Sequence, residues 1–239
     1  VGDEIPNAYA VLDPKRPDCD YPFKELSGCG VAFKFLQAYT IKRNIPLEEV
    51  SCYLDLLVVS ISSDIVPIVD ENRILAFWGL KLLNTSPCLG LECIIDLITP
   101  SDKVKTDLQV NDIVFKIGPR INAAGRMNTG RDAVELLIIE DEKDLEKASD
   151  ICRSIDELNS VRKSLDEEIT KEAICMIEEN NLQDRYSTVL YSPQWHRGIV
   201  GIVASKLIEE YYRPTVIFTD KGDGVLVGSA RSVVGFDLY

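Results

Sequence analysis

The feature that most constrains the fold of this chain is the segment Ser187–Lys206, which combines the patterns of a strand, a turn and a helix. Thr188 to Tyr191 have strand propensity, the turn follows at Ser192-Pro193, and a helical pattern begins near Gly198. Such a turn joins the carboxyl end of a strand to the amino end of a helix, which is where α/β folds bind their ligands. The unpaired amides and the dipole of the helix favour an anion at that point.

His196 is the only histidine of the chain, and it lies in this turn between Trp195 and Arg197. His196 could bind an anion at this turn, or it could be a loop histidine with no functional role, which is the more common case. The turn alone does not decide between these two interpretations. After the helix, Pro214 precedes a second strand, and a third strand follows the turn at 220–224. The carboxyl-terminal part of the chain therefore predicts a β-α-β unit followed by one more strand.

The amino-acid composition limits which classes of protein are possible but does not identify a function. The chain has 239 residues with 46% hydrophobic and 27% charged residues, which is typical of one large or two modest globular domains. The formal net charge of -13 disfavours a broad nucleic-acid-binding surface, but it allows a few arginines to hold phosphates locally. No apolar run approaches the roughly 20 residues that cross a bilayer. We therefore predict no membrane association.

The seven cysteines lie apart, with no C-x-x-C pair. Together with a single histidine they give no plausible set of zinc ligands. We therefore predict reduced thiols and a cytoplasmic location.

The amino-terminal half reads mainly as helices. After a strand-like piece at 8–12, a helix is predicted from Gly28 to Asn44, and apolar residues at helical spacing predict another over 47–65. In that second helix Asp64 continues the apolar face, so its carboxylate would be buried. A buried carboxylate needs a cation, a helix N-terminus or hydrogen bonds, although a capping aspartate before Pro67 is an open alternative.

Further helices are predicted over 70–84 and 89–97, and the run IVFKI at 113–117 indicates a short strand. Residues 118–131 (GPRINAAGRMNTGR) indicate a loop, whose glycines and three arginines suit contact with phosphate. An ordinary capping loop with solvated arginines is the alternative. The chain is then predicted to be helical over 133–180.

One apolar stripe runs along that last helix, with Glu and Lys on the other faces. The stripe suits an element that bridges two domains, or else a coiled-coil dimer. Its members are Ala148, Ile151, Ile155, Leu158, Val161, Leu165, Ile169 and Ala173.

Four stretches of the chain occur together, in this order, in one known family: SSDIVPIVDENR (62–73), GPRINAAGRM (118–127), WHRGIVGIVASKL (195–207) and GSARS (228–232). The opening PNAYAVLDPKRPDCDYPFKELSGCGVAFK is similar as well. The chain resembles the RecJ exonucleases of the DHH phosphoesterase superfamily. Each motif alone is modest, and their order and spacing make the resemblance specific.

The resemblance implies an α/β fold: the remainder of a DHH-type α/β domain (1–130), a long bridging helix within a helical linker (131–185) and a partial second, DHH-associated α/β domain (186–239). It implies a metal-dependent 5′-to-3′ exonuclease of DNA repair and recombination, acting on single-stranded DNA with a 5′ end. The implied cofactors are two Mn²⁺ or Mg²⁺ ions, and the implied partners include a single-strand-binding protein and a helicase.

The resemblance also assigns roles to residues. Asp64 matches a metal ligand, and the catalytic residues Arg126 and His196 match contacts to the scissile phosphate. Ser229, Arg231 and Ser232 match a pocket for the 5′ end. The full set of phosphate-binding residues implied is Asn122, Gly125, Arg126, His196, Gly228, Ser229, Arg231 and Ser232.

The remaining metal-binding motifs of the superfamily, including the Asp-His-His triplet, have no counterpart in this sequence. We therefore expect an incomplete metal site and little or no activity from this chain alone. Two alternatives stay open. One is a related phosphodiesterase of oligoribonucleotides or cyclic dinucleotides, and the other is a noncatalytic RecJ-like DNA-binding scaffold.

Overall fold

The computed structural model describes residues 5–64, 66–99, 106–127 and 129–238. Contacts within the chain define two compact units, the first formed by Val1–Asn122 with Asp132–Arg153, and the second by Ala123–Arg131 with Ser154–Tyr239. The three boundaries between the two units each fall within a helix of the chain.

Helices account for the regular structure that precedes the sheet. In chain order they are α1 (Gly28–Arg43), α2 (Glu48–Ser51), α3 (Leu54–Ser63), α4 (Asp70–Thr85), α5 (Leu89–Ile98), α6 (Val110–Asp112), a π-helical turn (Ile113–Ile117), α7 (Gly118–Met127), α8 (Arg131–Leu137), a 3₁₀ turn (Glu142–Asp144) and α9 (Leu145–Glu179). The predicted helices over 28–44, 70–84 and 89–97 are confirmed to within a residue or two.

The ends of α1 show why the sequence could predict it. The Ser27 side chain accepts a hydrogen bond from the amide of Gly30 at 3.1 Å, which caps the first turn. At the other end, Asn44 adopts a left-handed conformation with φ of 53°, and its amide bonds to carbonyls of the last turn. Both signals depend only on residues that are close in sequence, so they act regardless of what the helix packs against.

The helices α3 and α4 form the centre of the first unit. Leu57, Val58 and Ile61 of α3 are almost fully buried. A Cβ atom at Gly79 of α4 would lie only 2.2 Å from the carbonyl oxygen of Leu54. Glycine at this position therefore allows the two helix backbones to approach more closely than any larger residue would permit.

The helix predicted over 47–65 is divided in two. A break at Cys52 and Tyr53 separates α2 from α3, and α3 ends at Ser63, while Ile65 lies outside the described residues. Residues 8–12, predicted as strand-like, form a bend and irregular backbone instead. That prediction was wrong because a strand needs a neighbour to pair with, and the described residues of the first unit include none.

The strand predicted at 113–117 is a π-helical turn, and the loop predicted at 118–131 is largely helix α7. A capping box formed by Gln109 and Asp112 starts the helical segment, which then runs without interruption through Gly118 into α7. A five-residue apolar run cannot by itself distinguish a strand from a buried helix, so the cap decided the outcome.

The long helical prediction over 133–180 is correct for most of its length, but α8 and α9 are separate helices joined through the 3₁₀ turn. On α9 the predicted stripe is partly wrong, since Val161 is 49% exposed while Asn159 and Asp166 are buried.

The second unit contains the sheet. Strand β1 (Thr188–Tyr191) leads to α10 (Val200–Tyr211), and β2 (Thr215–Gly222) and β3 (Val225–Arg231) follow. The strand order is β1-β2-β3, with β1 parallel to β2 and β2 antiparallel to β3. The predicted β-α-β unit and the mixed α/β fold class are therefore confirmed, with the strands of the described residues all in this unit.

The core of the second unit lies between α9, α10 and one face of the sheet. Its fully or nearly fully buried members are Ile169, Ala173, Ile177, Leu190, Trp195, Ile199, Val200, Val203, Ala204, Leu207 and Ile217. Buried residues alternate along β2, with Thr215, Ile217 and Thr219 on the covered face. Because Ser229 pairs with Ile217 and Arg231 with Thr215, these two β3 side chains project from that same face.

Within the described ranges, no single helix is both long and apolar enough to cross a membrane. Helices α4 and α5 satisfy the test only as a pair, and the pair is bent by 75°.

Candidate phosphate-binding site

The second unit contains a cleft of about 750 Å³ that is lined by three segments. These segments are the end of α7 with the turn after it, the turn between β1 and α10, and the hairpin of β2 and β3. A volume of this size suits a ligand as large as a nucleotide. The charged and titratable side chains that line it are Arg126, His196, Arg197, Lys221 and Arg231.

The turn between β1 and α10 is anchored on both sides. The indole nitrogen of Trp195, which is 4% exposed, donates a hydrogen bond to Glu172 at 2.7 Å. The hydroxyl of Thr219 donates to the carbonyl oxygen of Trp195 at 2.6 Å. The residue that follows, His196, is therefore presented from a fixed backbone.

The ring of His196 has a defined orientation. The amide of Gly198 donates a hydrogen bond to Nδ1 of His196 at 3.1 Å. Since Nδ1 accepts this bond, Nε2 is the nitrogen that carries the proton and can donate to a ligand in the cleft. His196 can thus act as a hydrogen-bond donor to an anion.

Two glycines allow the walls of the cleft to approach each other. A Cβ atom at Gly198 would lie 2.2 Å from the carbonyl oxygen of Arg126. A Cβ atom at Gly201, in the first turn of α10, would lie 3.0 Å from Oγ of Ser229 and 3.1 Å from Nη2 of Arg231. Small residues at these points let α10 pack directly against the side chains of β3 and the backbone of α7.

At the end of β3, Nη1 of Arg231 donates to Oγ of Ser229 at 3.0 Å and to the carbonyl oxygen of Ala230 at 2.7 Å. These bonds hold the guanidinium beside the serine hydroxyl, where both can face an anion. By contrast, Ser232 donates its hydroxyl to the carbonyl oxygen of Phe236 at 2.6 Å and does not line the cleft.

The positive charges in this region lie close enough to influence one another. Partial burial, and then the charges of the Arg162 and Arg231 guanidinium groups, lower the pKa of Arg126 below its ordinary value. Arginine remains protonated at neutral pH despite such a shift. A concentration of guanidinium charge in a chain of net charge -13 is unfavourable by itself and favourable around a bound anion.

Of the residues predicted from sequence to bind phosphate, the cleft brings together Gly125, Arg126, His196, Gly228, Ser229 and Arg231. The sequence reasoning did not single out Lys221 or Gly201. Lys221 lies near the hairpin turn of β2 and β3, and its place beside the cleft follows from strand pairing that no local motif reports. Gly201 is one glycine in a helix, and only its distance to Ser229 reveals a role. Asn122 belongs to the first unit, and its predicted role stays a prediction.

Asp64, the predicted metal ligand, also belongs to the first unit, and the argument that it is buried was wrong. Helix α3 ends at Ser63, and Asp64 has an extended backbone with φ of -89° and ψ of 159°. Its side chain consequently leaves the buried face, is exposed, and accepts a hydrogen bond from the hydroxyl of Ser60 at 3.2 Å.

Among the described residues, no three His, Cys, Asp or Glu side chains lie together in a way that could hold a metal ion. The described residues therefore do not form a metal centre by themselves.

Known proteins with similar sequences are RecJ exonucleases, although no protein-family model matches the chain. The chain is 39% identical over 239 residues to the single-stranded-DNA-specific exonuclease RecJ of Bacillus subtilis, covering 100% of this chain and 29% of that protein. It is 32% identical over 252 residues to RecJ of Escherichia coli, covering 99% of this chain and 42% of that protein. The chain thus spans well under half the length of these curated relatives.

Solved structures of RecJ share the fold. The crystal structure of RecJ in complex with Mg²⁺ from Thermus thermophilus matches with a TM-score of 0.75 and 27% identity, over 92% of this chain and 32% of that one. A crystal structure of exonuclease RecJ bound to manganese matches with a TM-score of 0.75 and 28% identity, over 92% of this chain and 52% of that one. In sequence and in fold, this chain is therefore similar to one segment of the RecJ exonucleases.

Proposed function

We propose that this chain is part of a single-stranded-DNA-specific exonuclease and that the cleft of the second unit binds the phosphates at the 5′ end of the strand. The observation that carries the proposal is the convergence of Arg126, His196, Lys221 and Arg231 on one cleft of an acidic chain. The similarity to RecJ proteins, which are named for activity on single-stranded DNA, supports the choice of substrate.

The terminal phosphate is assigned to the end of β3. Ser229 and Arg231 are held side by side there, and Gly201 lets both side chains pack closely against α10. A guanidinium and a hydroxyl on adjacent positions give a phosphate several charge-assisted hydrogen bonds in fixed geometry. Recognition of a terminal phosphate in this way selects a strand end over an internal segment.

The phosphodiester to be cleaved is assigned to His196 and Arg126. The Nε2 proton of His196 can be donated to a phosphate oxygen, and the guanidinium of Arg126 can neutralise its charge. In this chain these two residues orient the phosphate and stabilise negative charge on it.

The proposed cofactors of the complete enzyme are two Mn²⁺ or Mg²⁺ ions, and RecJ structures are described with either metal. Asp64 is the one proposed ligand in this chain, and the described residues provide no complete set. We therefore expect the chain alone to bind a DNA end without hydrolysing it at a measurable rate. A single-strand-binding protein and a helicase as partners, the part in DNA repair and recombination, and the cytoplasm as location belong to the same proposal.

Binding to short oligothymidylates labelled at the 3′ end tests the proposal, with a 5′-phosphate or a 5′-hydroxyl as the only difference between the probes. Arg231→Gln should weaken binding of the 5′-phosphorylated strand by roughly tenfold and that of the 5′-hydroxyl strand much less, since it removes a contact to the terminal phosphate. Arg153→Gln is the matched control, because Arg153 is an exposed arginine that pairs with Asp150 on the surface. Equal losses on both strands would contradict the assignment of Arg231.

The absence of turnover by the chain alone has its own test. The oligothymidylates are incubated with the chain and Mn²⁺, and released mononucleotide is measured. Clear metal-dependent release, lost in Asp64→Ala, would show that a working metal site assembles on this chain and would overturn the expectation.

A further inference from the structure

Helix α9 contains a polar cluster within the second unit, and its residues have no role in the phosphate site proposed above. It consists of Asn159, Arg162 and Asp166, which occupy one side of the helix where the sequence predicted apolar contacts. Asn159 is 1% exposed and Asp166 7% exposed, and the side chain of Arg162 is 13% exposed. Burial of polar and charged groups in place of apolar ones is unfavourable unless they have a task or full partners.

The partners of Arg162 do not satisfy its guanidinium. Its Nε donates to Oδ1 of Asn159 at 3.2 Å, and its Nη1 lies 3.9 Å from Oδ2 of Asp166, which is beyond hydrogen-bonding distance. Asp166 lies closer to another cation, since its Oδ1 is 2.9 Å from Nζ of Lys206. Over the described residues, then, Arg162 donates one hydrogen bond out of the five that a guanidinium can make.

The charge of Arg162 acts on Arg126, which lines the phosphate cleft. Among the charged groups that lower the pKa of Arg126, Arg162 has a larger effect than Arg231, which itself lines the cleft. Arg126 therefore lies within electrostatic range of both Arg162 and Arg231, and Asp166 is shared between Arg162 and Lys206. An anion bound between Arg126 and Arg162 would relieve this repulsion and supply acceptors for the unused donors.

We propose that Arg162 is a further phosphate ligand, which together with Arg126 binds an internal phosphodiester of the strand. The assignment rests on the proposed function of the cleft and extends it to a residue of α9. Asn159 and Asp166 orient the guanidinium from one side and leave its remaining N–H groups for the phosphate. Arg231, in contrast, is fixed to Ser229 and serves the terminal phosphate.

The test compares Arg162→Gln, Arg162→Lys and the control Arg153→Gln for binding of 5′-phosphorylated and 5′-hydroxyl oligothymidylates over a range of salt concentrations. Arg162→Gln should weaken both probes by the same factor, roughly tenfold to a hundredfold, because both contain internal phosphates. The slope of log affinity against log salt should decrease by about 0.7, the value for one phosphate contact to a single strand. Arg162→Lys keeps the positive charge but lacks the planar guanidinium that can form two parallel hydrogen bonds. It should therefore restore the wild-type salt slope and part of the affinity.

Asp166→Asn separates phosphate binding from a purely structural role. If Arg162 binds phosphate, removing the nearby carboxylate raises the local positive potential and should tighten binding, opposite in sign to Arg162→Gln. If the cluster only stabilises the fold, both variants weaken binding together and the salt slope does not change, which would overturn the proposal. If Arg162→Gln does not fold, the proposal is tested by Asp166→Asn alone: tighter DNA binding supports it and weaker binding contradicts it. Failure of the wild-type chain to bind either probe would instead count against the proposed function itself.

Discussion

One polar side chain from each unit, Asp55 of the first and Arg162 of the second, shows how differently an enclosed polar group can be partnered. In the first unit, the carboxylate of Asp55, which is 1% exposed, accepts hydrogen bonds from the amides of Leu56 at 2.6 Å and Cys88 at 2.7 Å. In the second unit, the side chain of Arg162 is 13% exposed, and its guanidinium donates one hydrogen bond within the described residues. Satisfied polar groups stabilise a fold, whereas unsatisfied cations gathered at a cleft indicate a ligand.

Two closely packed glycines, one in each unit, also differ in what they lie against. Gly79 in the first unit lies against the backbone of another helix, so its role is to let α3 and α4 pack. Gly201 in the second unit lies against the ends of two side chains, Ser229 and Arg231, that are proposed to bind phosphate. Close approach serves the core in one case and the site in the other.

The largest expected effect comes from Gly79→Ala, which tests whether the first unit depends on tight helix packing. The new methyl group would meet the carbonyl oxygen of Leu54 and Cβ of Val58, and neither can move without shifting α3. We expect a loss of about 3 kcal/mol in the free energy of unfolding, which exceeds the gain in helix propensity. Hydrogen exchange resolved by segment should show the loss in α3 and α4. Unchanged protection there would contradict the packing argument.

A smaller loss is expected from Asp55→Ala, which tests the satisfied carboxylate. Without it the amide of Cys88 at the start of α5 loses its partner, at a cost of roughly 2 kcal/mol to the free energy of unfolding. Urea denaturation measures this change. Asp150→Ala is the control, since its exposed pair with Arg153 should contribute under about 0.5 kcal/mol. Similar losses of unfolding free energy in the two variants would show that the buried carboxylate contributes no more than the surface one.

Gly201→Ala should separate stability from binding in the second unit. Alanine in α10 favours the helix by about 1 kcal/mol, while its methyl group forces the ends of Ser229 and Arg231 to move by a few tenths of an ångström. We therefore expect equal or higher stability together with severalfold weaker binding of a 5′-phosphorylated oligothymidylate. Tighter or unchanged binding would argue against the pocket at the end of β3.

The prediction with the smallest effect at neutral pH concerns the first unit under alkaline conditions. Burial, followed by the neighbouring Asp55 carboxylate, raises the pKa of the Cys88 thiol to about 12, against 9.0 for a free thiol. Because the folded state retains the proton, the stabilising contribution is complete below about pH 9 and is lost as pH rises towards about 12. The free energy of unfolding should therefore fall less steeply over that window in Cys88→Ala than in the wild type.

Tyr21, whose pKa is also raised to about 12, contributes to the slope in both proteins and cancels in the comparison. Cys175→Ala, at an exposed position, is the matched control. An identical slope in Cys88→Ala and the wild type would show that the thiol does not matter.

The sequence by itself determined the features whose signals are local. Helical spacing and local start and stop residues predicted α1, α4 and α5, and the change from helical spacing to a strand-turn-helix pattern predicted the β-α-β unit. The motif around His196 and the small residues at Gly228 and Ser229 were recognisable because each is contiguous in the chain. The order of these motifs also sufficed to recognise the similarity to RecJ exonucleases.

Tertiary structure alone decided what depends on partners distant in the chain. It showed that Asp64 leaves the buried face when α3 ends, that 118–127 is helical, and that Lys221 lies beside the cleft. It also showed that the apolar stripe of α9 gives way to Asn159, Arg162 and Asp166. The physical reason is that periodicity records which face of a helix is buried on average, whereas burial and charge at one residue depend on which groups meet it across the fold.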